Sequence, residues 1–348
     1  MKRVCLLGSP GTKRTLYLQR AAAEAGVPLA LADWGKVGAG WPWQKTDAAL
    51  FVKADPPVWE SCRLEELGTL TLTYRRRLMA MEASAGSGHV TFLNAPGAIA
   101  ALLDKRVCKQ TLTAAGLPVT EMLDGRIDDT ETLLAAMEET GWRQVFVKPC
   151  YGSGAAGVSA LRLHPRTGRM ALYTCAAADP MLGIVNTKRL RRYDRSEEVL
   201  LLLERILRLD CIVERWYPKA VFQGLGYDLR AVMQDGHMDF LLARMSGGPI
   251  TNLHLNNRPL DAARLGLDEA AQESLARLCR KAMACFPGLR SAGIDLLLEK
   301  GSLRPRIIEM NGQGDLIYED IFHENRIYRH QAAMMKQWAE TEGSEQDE

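Results

Sequence analysis

The stretch VFVKPCYGSGAAGV, Val145 to Val158, sets a short apolar strand and a lysine directly before a glycine-rich loop. Alternation along a strand puts Phe146 and Lys148 on one face. Gly152, Gly154 and Gly157 follow, and backbone amides free of nearby Cβ atoms can close on a phosphate. A fixed ammonium beside such a loop reads as a phosphate site, here a nucleotide's. The spacing Gly152-x-Gly154-x-x-Gly157 also fits the dinucleotide fingerprint, but that motif requires the loop to open a helix. Here the chain runs on into VSALRLHPRTG, Val158 to Gly168, a second strand and a turn. The loop is therefore expected at the tip of a β-hairpin, as a flap over phosphates.

Around this stretch, 348 residues leave room for two or three domains, and 47% hydrophobic with 25% charged residues is ordinary for a soluble globular chain. A net charge of +2 lacks the basic excess of a dedicated nucleic-acid binder, so no nucleic-acid partner is expected. The eight cysteines form no CxxC pair and several sit in apolar runs, which favours buried free thiols over disulfides or zinc ligands. The opening MKRVCLLGSPG is too short in apolar residues for a signal peptide, and no run is long enough to cross a bilayer. A cytoplasmic protein without a membrane partner is the expectation.

Val4 to Leu7, the turn GSPG and the amphipathic TLYLQRAAAEAG make a strand–loop–helix unit of an α/β domain. Gly8, Gly11 and Lys13 lack the spacing of a P-loop. A second strand, ALFVKA, ends at Asp55-Pro56-Pro57, and Trp34, Trp41, Trp43 and Trp59 crowd the same region as core or interface residues. TFLNAP closes this unit, giving an N-terminal α/β domain over 1–95. A helix from Gly97 to Ala115, bearing Asp104 and Lys105, opens a second unit, 96–213, which also holds helices at Thr130 to Thr140 and Ser196 to Leu209. Thr187 to Arg195 carries five Lys/Arg in nine residues, read first as a solvated basic face. A third unit, 214–338, alternates strands and turns, with helices at Asp268 to Cys285 and Glu324 to Trp338. An acidic tail, 339–348, reads as disordered.

AGIDLLLEKGSLRPRIIEMNG, Ala292 to Gly312, reads as two strands joined near Gly301. Glu309 and Asn311 share a face, and folding the hairpin about 302–303 sets Asp295 across from Glu309 or Asn311. Two carboxylates and an amide oxygen on one face repel unless neutralised. Hard oxygen donors of this kind suit Mg²⁺ alongside substrate phosphates.

Lys105, Lys148, the flap, Glu214-Arg215-Trp216-Tyr217 and the acidic hairpin occur in the order seen in the ATP-grasp superfamily. Over roughly Asn94 to Asn311 the chain resembles its carboxylate–amine ligases, such as D-alanine–D-alanine ligase and the glutamate-adding ligase of ribosomal protein S6. The resemblance implies an α+β ATP-grasp fold, with an α/β pre-grasp domain before two α+β lobes that sandwich ATP. It implies that Lys105 and Lys148 hold phosphates and that Gly152, Ser153 and Gly154 cover them. Glu214, Arg215, Trp216 and Tyr217 would form the hinge that reads adenine. Arg230 and Arg244 would lie near the triphosphate and the developing acyl phosphate, and Asp295, Glu309 and Asn311 would hold two Mg²⁺ ions. The partners implied are a small-molecule or peptide carboxylate and an amine nucleophile. The family's NLHxGG pattern stands here as Asn252-Leu253-His254-Leu255-Asn256-Asn257, without the paired glycines, and GQGD follows Asn311.

In such ligases a carboxylate takes the γ-phosphoryl group, giving an acyl phosphate and ADP, and an amine then displaces phosphate. Positioning and charge neutralisation suffice for this chemistry. A kinase of the same superfamily, with Lys188, Arg189, Arg191 and Arg192 meeting an anionic acceptor, is the alternative, and a nucleotide-binding regulator is a third reading.

Overall fold

The computed structural model describes residues 2–37, 40–86, 89–152, 154–313 and 324–341. Three sheets follow one another along the chain. The first is parallel, in the order β2-β1-β3-β4, from β1 (Arg3–Gly8), β2 (Leu29–Asp33), β3 (Leu50–Ala54) and β4 (Val90–Phe92). The short apolar runs VCLL and LFV suit central strands covered on both faces. Helix α1 (Lys13–Glu24) covers one face, its first turn capped by the Thr12 hydroxyl, and α2 (Leu64–Ser84) covers the other. Trp34 and Trp43 are buried with Tyr74 in the core on the α2 side, and Trp59 packs on Tyr74 with ring centroids 5.6 Å apart, as core residues should.

The helix expected from Gly97 to Ala115 is two, α3 (Pro96–Leu102) and α4 (Lys105–Ala114). Asp104 breaks them apart, because its Oδ1 accepts hydrogen bonds from the amides of Arg106 and Val107 and so starts a new helix. Lys105 is thereby the first residue of α4 and not a mid-helix position. After α5 (Thr130–Glu139) comes an antiparallel sheet in the order β8-β7-β6-β5-β9, from β5 (Gln144–Pro149), β6 (Ser159–Leu163), β7 (Met170–Asp179), β8 (Gly183–Tyr193) and β9 (Cys211–Arg215). Helix α6 (Ser196–Leu207) precedes β9, and Leu133 of α5 and Leu203 of α6 join Val145, Val147 and Leu161 in one core. The basic segment lies on the edge strand β8, with Lys188, Arg189, Arg191 and Arg192 exposed.

The third sheet runs β13-β12-β11-β14-β15, with β10 (Val221–Phe222) paired to β11 (Leu225–Gln234). Its other members are β12 (His237–Ser246), β13 (Arg258–Asp261), β14 (Ser291–Leu298) and β15 (Pro305–Asn311), covered by α7 (Glu269–Ala284). Helix α8 (Arg326–Glu340) returns to the first sheet, where Ile327, Tyr328 and Met335 share a core with Val4, Leu18 and Phe51. Val232 of β11 joins that core, so α8 ties the first and third sheets together. By sequence Gln313 to Phe322 reads as a loop followed by a short helix; apart from Gln313 this stretch, like most of the acidic tail, lies outside the described residues.

Cys5, Cys108, Cys150, Cys175, Cys211 and Cys279 are buried free thiols. Among the described residues no helix is long and apolar enough to cross a membrane.

Candidate functional site

β5 and β6 form the expected hairpin, with Val145 and Val147 turned into the core and Phe146 and Lys148 turned the other way. The connecting loop takes Gly152, Gly154 and Gly157 to φ values of 147°, 65° and 73°, which side-chain-bearing residues avoid. At Gly157 a Cβ would stand 2.8 Å from Pro149 Cγ and 3.0 Å from Leu64 Cδ1, so the base of the flap is packed against α2. Gly154 lies beside the His254 ring. Ser153 lies outside the described residues.

A cavity of about 230 Å³ opens between this sheet and the third one. On its first wall stand Lys105, Lys148, Phe146, Gly152 and Gly154. The Lys105 ammonium donates to the Gly152 carbonyl at 2.8 Å, which links the start of α4 to the flap. Lys148 is buried and paired with Glu214 Oε2 at 2.9 Å. The other carboxylate oxygen of Glu214 lies 3.4 Å from Lys109, and the Thr120 hydroxyl donates to Oε2 at 2.7 Å. Burial pushes the Glu214 carboxyl up, but Lys109 and Lys148 outweigh it and hold the group below the usual carboxylate range. Lys148 goes the other way: burial lowers it, and Glu214 with Glu309 lifts it above the ordinary lysine value. Burial wins at Lys109, whose pKa is lowered.

Beyond Glu214, Arg215 and Tyr217 line the cavity and Trp216 does not. The Trp216 ring packs 5.3 Å from Phe146 and under the Arg162 guanidinium at 4.8 Å. Its amide donates to the Gln144 carbonyl and its carbonyl accepts from the Gln144 side chain. Trp216 therefore continues the strand pairing, and Glu214, Arg215 and Tyr217 are the residues of this stretch on the cavity wall.

The opposite wall is the third sheet. Register sets Asp228 across from Arg244 and Arg230 across from Asp295. Arg244 makes a two-pronged bond to Asp228 at 2.7 and 2.9 Å and reaches Asp295 Oδ2 at 3.1 Å. Arg230 pairs with both oxygens of Asp295. Lys219 adds a contact to Asp228 at 3.6 Å and donates to the Thr251 hydroxyl at 2.7 Å. This alternating chain of charges is buried, and both arginines that sequence reading placed near the phosphates are held in it.

Asp295 stands directly across from Glu309, and Asp295, Glu309 and Asn311 all face the cavity. Burial raises the Glu309 carboxyl, while Lys105, Lys148, Arg230 and Arg244 together bring it below its ordinary value. Asn311 Nδ2 is buried without a hydrogen-bond partner among the described residues. Among those residues no cluster of three or more His, Cys, Asp or Glu is arranged to hold a metal ion. The donor set is instead two carboxylates and an amide, of which Asp295 is already bonded to arginine. A carboxylate at Glu309 held below its ordinary value, beside Asp295 and the side chain of Asn311, fits a hard cation that brings its own phosphate and water oxygens; the unpartnered Asn311 Nδ2 is a donor and adds nothing to that fit.

Arg14 from α1, Thr120, Lys219 and Thr251 are among the cavity-wall residues that escaped sequence reading, whereas Asn252 and His254 of the Asn252–Asn257 stretch do line it. Lys109, behind the wall, had a signal, since it follows Lys105 by one helical repeat and shares its face. Arg14 had none, because only tertiary packing brings α1 to the third sheet.

By sequence, no family model and no curated protein matches the chain. Its structure is similar to that of macrocyclase MdnC bound with precursor peptide MdnA from Microcystis aeruginosa MRC, with a TM-score of 0.61, 13% identity and coverage of 97% of this chain and 99% of that one. It is similar to D-cycloserine synthetase DcsG, with a TM-score of 0.60 and 16% identity over 95% and 99% of the two chains. A third likeness is to a RimK domain ATP-grasp protein from Sphaerobacter thermophilus DSM 20745, with a TM-score of 0.54 and 15% identity over 96% and 98%. With two antiparallel sheets closing on one cavity and an α/β unit before them, the chain shares the fold of these solved structures.

Proposed function

We propose that the protein is an ATP-dependent ligase that joins a carboxylate to an amine through an acyl phosphate, releasing ADP and phosphate. One observation carries this reading. Lys105, Lys148 and a glycine flap stand on one wall of a single cavity, with Asp295, Glu309 and Asn311 on the other. Solved neighbours named as ligases, among them ATP-grasp ligase PsnB complexed with precursor peptide PsnA2 and AMPPNP, support it.

In this reading Arg215 and Tyr217 border the base, and Lys105 and Lys148 offset the phosphate charge. Gly152 and Gly154, on the cavity wall, would cover the phosphates. Glu309 and Asn311, with Asp295, would hold Mg²⁺, which when bound supplies charge neutralisation and orients the phosphoryl oxygens. Arg244 and Arg230 lie where negative charge grows on the transferred group. A carboxylate oxygen attacks the γ-phosphorus as the bond to the β-phosphate oxygen breaks. The amine then attacks the carbonyl carbon, loses a proton and expels phosphate. The kinase alternative draws on Lys188, Arg189, Arg191 and Arg192, and none of these lines the cavity.

Incubation with ATP, Mg²⁺, hydroxylamine and a panel of small carboxylates tests the proposal. A hydroxamate with stoichiometric ADP and phosphate, and no AMP, is the expected product. A stable phosphate ester without released phosphate would replace the ligase with a kinase.

A further inference from the structure

Three side chains that stand behind the cavity wall, not on it, join the flap to the N-terminal unit: Asp104 ahead of α4, Tyr151 at the stem of the flap and Arg75 on α2. Asp104 is 7% exposed, and both of its oxygens are in use. Oδ1 starts α4, while Oδ2 accepts from the Tyr151 hydroxyl at 2.9 Å and from Arg75 at 3.2 Å. Burial first, then the bond to Asp104, pushes the Tyr151 hydroxyl up to about 12, so it stays a donor at neutral pH. The Arg75 guanidinium also lies 5.6 Å from the Tyr151 ring and donates to the Ala100 carbonyl at 2.9 Å. Lys105 continues the contact: its amide donates to the Cys150 carbonyl at 3.3 Å and its ammonium to the Gly152 carbonyl. Asp104 and Lys105 thereby grip three successive residues, Cys150, Tyr151 and Gly152.

Helix α2 is a firm anchor for this grip. Tyr74, next to Arg75, is 1% exposed, and its ring packs on both Trp34 and Trp59 with centroids 5.6 Å apart in each case. The other end of the flap meets the same helix, where Leu64 closes on Gly157. Glycines between two such points have more backbone freedom to lose than other residues when they close on a ligand. A stem already fixed leaves less of that freedom to be lost on binding, and preorganisation of this kind raises affinity. Starting α4 needs only Oδ1 of Asp104. The two donors on Oδ2 serve another purpose, since one belongs to the flap and the other to its anchor.

We propose that Asp104 is a positioning residue for the nucleotide: through Tyr151 and Arg75 it fastens the stem of the glycine flap to α2, so that Lys105 and the flap are set as one unit before ATP arrives. This rests on the reading of the cavity as an ATP site and deepens it, because it gives the N-terminal unit a part in nucleotide affinity without touching the nucleotide.

Titration calorimetry on the full chain, with a non-hydrolysable ATP analogue and Mg²⁺, tests it. Tyr151→Phe removes the donor and keeps the ring beside Arg75. Asp104→Asn keeps an acceptor for the α4 amides and removes the charge that Tyr151 and Arg75 share. Each substitution is expected to weaken the analogue at least fivefold. The double variant should be no more than about twofold weaker than the worse single one, because both cut the same link. Chymotrypsin cuts after Tyr and Phe alike, so cleavage following residue 151 can be compared directly, and without nucleotide it should be at least fivefold faster in Tyr151→Phe. That variant changes neither charge nor cap, so it decides alone if Asp104→Asn fails to fold. A folded Tyr151→Phe protein with the parent's affinity, or single effects that multiply in the double variant, would overturn the assignment and leave the ATP reading standing. A parent chain that does not bind the analogue would discard the ATP reading and the assignment with it.

Discussion

Asp295 and Arg230 face each other across β14 and β11, and both oxygens of the carboxylate are taken by the guanidinium, Oδ2 at 3.2 Å. Arg244 adds a further contact to the same Oδ2 at 3.1 Å. The two carboxylates of the hairpin therefore do different work. Asp295 holds two buried arginines in place, and Glu309 faces the cavity in the field of four cations.

Substitution separates these roles. Asp295→Asn leaves two buried guanidiniums short of a counter-charge, a loss of about 3 kcal/mol or more. Glu309→Gln keeps that network and is expected to cost less than half as much, while lowering Mg²⁺-dependent turnover at least 100-fold. Urea denaturation without Mg²⁺, set beside turnover with it, checks both. Equal destabilisation by the two variants would make Glu309 a structural partner.

Asp228 sets an acid limit on the fold. Burial pushes its carboxyl up, and Arg244, Lys219 and the Thr251 hydroxyl pull it down to about 2. A carboxyl held lower in the folded than in the unfolded chain adds stability that is complete above its unfolded value near pH 4 and drains away as pH falls towards 2. That contribution is about 2–3 kcal/mol for a shift of roughly two units. Asp228→Asn should lower stability at pH 7 and flatten its fall between pH 4 and 2, measured by urea titration at each pH. A parallel fall in both proteins would place the acid limit elsewhere.

Local pattern made the glycine-rich hairpin, the strand ending in Glu214 and Arg215, and the acidic hairpin legible. Period-2 alternation oriented Phe146 and Lys148, and the turn near Gly301 narrowed the residue across from Asp295 to Glu309 or Asn311, of which the register takes Glu309. What stayed hidden depends on contacts distant in sequence. The break at Asp104 is decided by a side-chain cap that competes with helix continuation. β7 and β8 were missed because MALYTCAAAD is alanine-rich and the basic run of β8 lacks alternation. The packing of the Trp216 ring onto Phe146 and Tyr173 was likewise not legible, because it depends on strands distant in sequence.

Gly157 and Gly168 share nearly the same backbone, φ 73° and 67°, but only Gly157 is enclosed. Alanine at either position bears the strain of positive φ, on the order of 1 kcal/mol. At Gly157 it also meets Pro149 Cγ and Leu64 Cδ1, so the flap must shift off α2. Gly157→Ala is expected to cost at least twice what Gly168→Ala does, and to raise the Michaelis constant for ATP at least fivefold where Gly168→Ala leaves it unchanged. Thermal melts and steady-state kinetics on the pair decide. Equal effects would mean that the flap base is not fixed by this packing.

Lys148 and Lys109 grip opposite oxygens of Glu214, at 2.9 and 3.4 Å, but they have different surroundings. Lys148 lines the main cavity, whereas Lys109 is turned away from it and donates to Thr120 and to the Ile308 carbonyl at 2.7 and 2.8 Å. One lysine can therefore meet a phosphate, and the other fastens α4 to β15. Lys148→Met removes a charge-assisted contact worth roughly 1.5–3 kcal/mol, so ATP affinity should fall at least tenfold by calorimetry. Lys109→Met should leave affinity within about threefold of the parent and lower stability by roughly 1–3 kcal/mol, because two buried acceptors lose their donor. Stability is measured by urea denaturation without nucleotide. If Lys109→Met weakens ATP as much as Lys148→Met in a folded protein, both lysines serve the nucleotide and the division between them fails.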